Sequence, residues 1–186
     1  MVELSTIDMF FRKIILKMTI DLEHYLKVNL INDCQNNTAD DGYKVVSTFL
    51  DSHTAINEAI TAGARLAGYS GVSFEKYIEM PAVWNFVEMI NFYDFINFYT
   101  FYYDYFKIGC EYSKHFDSVR RLRNAAAHNI CMLSSFKPVQ NLFKISNFIL
   151  EIHGHLHCLF PMTNVIHRYD IAHLFLDWTK VYNTHI

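Results

Sequence analysis

Residues 7–30 read IDMFFRKIILKMTIDLEHYLKVNL. Apolar side chains recur at Ile7, Phe10, Phe11, Ile14, Ile15, Met18, Leu22, Tyr25, Leu26 and Leu30, a 3.6-residue spacing held over roughly six turns. The stretch predicts a long amphipathic helix. Ser5-Thr6-Ile7-Asp8 gives it a capped start, with an acid at the third position. The same periodicity extends through the chain. A short helix is expected at about Tyr43–Asp51, after an Asn- and Asp-rich loop over 33–41. Another is expected from Thr54 to Leu66, weakened towards Gly63, Gly68 and Gly71. Ser73 is placed to cap a short helix that Pro81 ends or restarts. From Ala82 to Phe106 aromatic residues are dense enough for a helix buried on several sides. Further helices are expected at Phe116–Leu133, Val139–Leu156 and Val165–Tyr182. No segment shows strand alternation and no internal repeat is seen. The expected fold is all-α, a bundle of about five to seven helices in a single domain over residues 1–186.

Composition narrows the function classes. The chain is 52% apolar, with 16 Phe and 12 Tyr, so a large core is available. Three prolines and six glycines leave little room for linkers. A net charge of -3 rules out general electrostatic binding of nucleic acid, so RNA contact would need a local patch or a groove made by assembly. Cys34, Cys110, Cys131 and Cys158 are scattered with no CxxC spacing, which suits reduced thiols in a cytoplasmic protein. The first residues lack a basic-then-apolar leader, so no signal peptide is expected. The most apolar stretch, 83–106, is interrupted by Asn85, Glu88, Asn91, Asp94, Asn97 and Asp104 and fails as a membrane span.

The chemistry-bearing stretch is Arg123-Asn124-Ala125-Ala126-Ala127-His128. Arginine neutralises phosphate bidentately, histidine moves a proton near neutral pH, and asparagine orients either. On a helix Asn124 and His128 share a face, while Arg123 lies about 140° round from His128 and reaches in on a long stem. Two copies of the helix facing each other would bring the groups together better, and Ala125 to Ala127 would let them approach. Arg120 and Arg121 add the only strongly basic cluster. With ten histidines and few arginines, such an Arg–His pair is expected about 0.3 times by chance. A solvated helix face with a C-terminal cap is its structural alternative. His153, His155 and His157 with Cys158 would need a strand or loop to converge on a metal, since alternate helical residues diverge by about 160°. No metal and no cofactor are expected. The aromatic run 92–106 is read as core or dimer packing rather than a base-stacking platform.

Four segments, in order, resemble the HEPN superfamily, and within it the abortive-infection (Abi) proteins. Asp8-Met9-Phe10-Phe11-Arg12 resembles the early D-x-x-(L/F)-R helix. Asp21-Leu22-Glu23-His24-Tyr25-Leu26 resembles the turn that follows it. Met80-Pro81-Ala82-Val83-Trp84 through Glu88 resembles the Pro–Trp–Glu segment. Leu122 to Asn129 resembles the L-R-N-x-x-A-H-(H/N) element. The family's usual Phe-Gly after the third segment is Phe92-Tyr93 here. The resemblance implies a HEPN-like helical bundle and metal-independent RNA cleavage through the 2′-hydroxyl. Arg123, Asn124 and His128 would be catalytic, and Arg120 and Arg121 would contact RNA. Arg12 and Glu23 would support the motif helix as a buried ion pair, or line the cleft. It further implies a homodimer, an RNA substrate, and restraint by an antitoxin protein or RNA. Two alternatives stay open: a HEPN module that binds RNA or a nucleotide without cleaving, and an all-α scaffold.

Overall fold

The computed structural model describes residues 2–62, 75–110, 113–129 and 131–132. Among the described residues six α-helices follow in order: α1 (Val2–Asn36), α2 (Lys44–Ser52), α3 (Thr54–Thr61), α4 (Val83–Met89), α5 (Phe92–Tyr105) and α6 (Phe116–Ala127). Two single 3-10 turns lie at Glu75–Tyr77 and Ser113–His115. No strand occurs among the described residues, and the fold class is all-α. The helices expected at Val139–Leu156 and Val165–Tyr182 lie outside the described residues. The chain divides into two compact units, Met1–Leu22 with Asp117–Ile186, and Glu23–Phe116. Helix α1 contributes to both.

In the unit Glu23–Phe116, α1 buries Leu26, Leu30 and Cys34, one ridge of i, i+4 neighbours. The expected loop at 33–41 starts later than read, because α1 runs through Asn36. Asp33 stays helical, with its carboxylate accepting the hydroxyl proton of Tyr103. Tyr103 also accepts from the Tyr99 hydroxyl at 3.3 Å, and burial pushes its own hydroxyl well above the usual tyrosine range. Helix α2 packs on α3, α4 and α5. Its Phe49 is fully buried, edge-on to Phe86 (5.8 Å), Phe98 (5.1 Å) and Phe101 (5.3 Å), and stacked on His53 at 4.0 Å.

The turn before α2 is built by side chains. Asp40 Oδ1 accepts from the Gly42 amide at 2.9 Å, and Asp41 Oδ1 accepts from the amides of Tyr43 (2.9 Å) and Lys44 (2.7 Å). Gly42 has φ +75°, and a Cβ there would meet the Trp84 ring at 2.9 Å, so backbone and neighbour both require glycine. The amides of Lys44 and Tyr43 hold the Asp41 carboxyl below its ordinary value. A depressed folded value contributes stability above the unfolded value near pH 4, and that stability fades as pH falls through the folded one. Asp41→Ala is therefore expected to lower the melting temperature by a few degrees at pH 7. The gap should close in acid, and an equal gap at pH 2 and pH 7 in thermal unfolding would contradict this role.

The aromatic stretch 82–106, read as one helix, is two. Ile90 and Asn91 are extended (ψ 153° and 167°), which separates α4 from α5. Asn91 then caps α5: its Oδ1 accepts from the Asp94 amide at 3.0 Å, and its Nδ2 donates to Asp94 Oδ2 at 2.9 Å. Helix α5 buries Phe92, Phe95, Phe98, Tyr99 and Tyr102. It ends with Lys107 left-handed (φ 56°), the Ile108 amide reaching Tyr103 O at 2.8 Å and the Lys107 amide reaching Asp104 O at 3.2 Å. That pair of bonds is a Schellman closure.

In the other unit, α1 buries Asp8, Ile15, Met18, Thr19 and Leu22, and α6 buries Val119, Leu122 and Ala126. Asp8, Ile15 and Leu22 are seven residues apart and share one face. The expected apolar stripe is therefore rotated at its start. Ile7 and Phe10 are 39% and 52% exposed, and a carboxylate takes the inward place. Ser5 lies inside α1, which starts at Val2, so the expected cap is not the helix start.

Candidate active site

Helix α6 carries the Arg–Asn–His stretch. Val119, Leu122 and Ala126 recur at i, i+3 and i+7 and fix which face turns inward. Arg123 and Asn124 sit half-buried on the last turns, and His128 is exposed. The helix ends at Ala127 and not at Leu133 as read. His128 occupies the turn that follows, its amide donating to Asn124 O at 2.9 Å. The i, i+4 relation between Asn124 and His128 thus survives the end of the helix. Asn129 is left-handed, with φ 55°, a conformation asparagine enters more readily than most residues. Of the alanine run expected to admit a second helix, Ala126 is buried, which leaves Ala125 and Ala127.

Arg12 joins this turn from α1. Its Nε donates to Asp8 Oδ2 at 2.8 Å, with the Asp8 side chain 3% exposed and that of Arg12 17%. Its Nη1 donates to Asn129 Oδ1 across 117 residues of sequence. The expected partner Glu23 is not the one used. Glu23 lies eleven residues further along α1, roughly 16 Å away, and pairs with Lys27 at 3.6 Å. Lys27 in turn reaches Glu88 at 3.4 Å. A helical guanidinium meets a carboxylate four residues before it far more easily than one three turns ahead. Asp8 and Asn129 are the residues that the sequence reading did not single out as partners. The i, i+4 spacing of Asp8 and Arg12 was the available signal.

Arg120 and Arg121 both bond Asp117, at 2.6 Å and 2.7 Å. These arginines, chiefly Arg120 through its hydrogen bond, hold the Asp117 carboxyl below its ordinary value. The basic cluster therefore carries a built-in anion. Arg121 is the more open of the two, its side chain 75% exposed against 28% for Arg120.

Among the described residues no group of three or more His, Cys, Asp or Glu is placed to hold a metal ion. His153, His155, His157 and Cys158 lie outside them. Cys34 is a buried free thiol. Burial, then Asp40, pushes the Cys34 thiol up to about 12, far from a reactive thiolate. Among the described residues no helix is long and apolar enough to cross a membrane.

No curated protein and no solved structure matches the chain significantly. The sequence model of one family, described as Abi-like protein, matches residues 1–134. That span takes in α1 through α6, including Arg12, the Pro81–Trp84 segment and the Arg123–His128 turn. With well over half of its length covered, the chain belongs to the Abi-like protein family.

Proposed function

We propose that this protein is a metal-independent endoribonuclease of the HEPN type that acts in abortive infection. The observation that carries the reading is the end of α6. A guanidinium and an amide lie half-buried on its last turns, an exposed imidazole follows, and the turn that carries the imidazole is anchored to α1 through Asn129. Membership of the Abi-like family supports the phage-defence setting.

The chemistry suits these groups. The 2′-oxygen of the substrate attacks the adjacent phosphorus while the bond from phosphorus to the 5′-oxygen breaks. The products are a 2′,3′-cyclic phosphate and a 5′-hydroxyl. One proton leaves the 2′-oxygen and another reaches the departing 5′-oxygen. His128 serves this transfer, Arg123 stabilises the charge on the phosphorane, and Asn124 orients the imidazole or the substrate. Arg120 and Arg121 meet backbone phosphates, with Asp117 moderating their pull.

Two proton transfers and one histidine per motif favour a homodimer in which a second copy supplies the second imidazole. A toxin of this kind requires restraint by an antitoxin protein or RNA, or release by a phage signal. The direct test offers purified protein an RNA and the same RNA with every 2′-hydroxyl methylated. The first should be cut and the second should stay intact. Cleavage of the methylated strand would contradict the mechanism. Binding of both that weakens steeply with salt, without cleavage, would assign a binding module instead.

A further inference from the structure

His128 is bracketed. Behind it, its amide is held by Asn124 O at 2.9 Å. Ahead of it, Asn129 is left-handed and its side chain accepts from Arg12. Arg12 is itself oriented, because Asp8, 2% exposed, takes its Nε at 2.8 Å. A buried carboxylate on one edge of a guanidinium fixes the plane of the fork, so the opposite N–H points in a set direction. We propose that Asp8, Arg12 and Asn129 form a positioning relay that places His128 for proton transfer.

None of the three needs to touch RNA. The relay acts by holding the residue after the imidazole, so that the histidine leaves the helix in one direction. Misplacing a reacting group by about 1 Å can cost on the order of 100-fold in rate. Even an exposed hydrogen bond of small worth to stability then has a large kinetic effect. The kinetic part of this inference rests on the ribonuclease reading; the geometric part does not.

Asn129→Gly separates the bond from the backbone, because glycine adopts the left-handed conformation freely while the acceptor is lost. Its kcat should fall about 10–100-fold with KM changed less than about threefold. Asn129→Asp restores an acceptor with the same reach and should return to within about threefold of wild type. Arg12→Gln combined with Asn129→Gly should fall no further than the worse single variant, since both break one link. Multiplying effects, or full activity in Asn129→Gly, overturn the relay.

A second readout needs no RNA. The imidazole proton resonances of His128 should shift and broaden in Asn129→Gly and recover in Asn129→Asp. Unchanged resonances in Asn129→Gly overturn the relay, whatever the kinetics show. Wild-type protein that cuts no RNA overturns the ribonuclease reading alone, and the resonances then decide the relay by themselves.

Discussion

His128→Ala is expected to reduce RNA cleavage by about 100- to 10,000-fold, the span that general acid–base groups contribute. The fold should not notice. His128 is exposed, it follows the last turn of α6, and its contact with Asn124 runs through the backbone amide, which alanine retains. The melting temperature should stay within about 2 °C of wild type. Loss of activity in a folded protein separates chemistry from stability. Full activity in folded His128→Ala would falsify the assignment. Arg123→Ala should cost about 100- to 1,000-fold. Arg123→Lys should recover only part, because an ammonium keeps the charge and loses the two-pronged geometry. Arg123 is half-buried, so its loss is to be measured per folded molecule.

The largest stability effect is expected at Phe49→Ala. Phe49 is fully buried and touches three phenylalanine rings and His53. Truncating such a ring removes its buried surface and leaves a cavity that helices α2, α4 and α5 cannot fully close. The cost should be about 3–5 kcal/mol, against a total of about 5–15 kcal/mol for a typical domain. Urea unfolding measures it directly. Phe49→Leu should lose distinctly less, since most of the volume stays. A loss under about 1 kcal/mol for Phe49→Ala would mean that the cluster is not packed as described.

The helices were legible where periodicity was long. Leu22, Leu26 and Leu30 announced the inward ridge of α1, and the structure buries all three. The break at Ile90–Asn91 was hidden because the dense aromatic pattern resumes directly after it at Phe92 and Tyr93. Its marker was local, Asn91 three residues before Asp94, a capping pair inside an otherwise continuous pattern. The end of α6 was missed for a related reason. Alanines extend any helical reading, and the stop comes from one left-handed residue, Asn129.

The candidate site was legible in its own hexapeptide, which chain continuity alone keeps together. Its support was not. Asp8 reads as an acid near a helix start, yet it is buried beside Arg12, which reaches a residue 117 positions away. Sequence spacing does not encode that distance. Arg12 pairs with Asp8 and not with Glu23, because Asp8 is one turn away and wins by proximity.

The ribonuclease reading is tested most directly by incubating purified wild-type protein with RNA in excess EDTA and weighing the product ends by mass spectrometry. The expected fragments end in 2′,3′-cyclic phosphate with 5′-hydroxyl partners, at least about 100-fold fewer of them from His128→Ala. Cleavage that stops in EDTA, or fragments carrying 5′-phosphate, would contradict it.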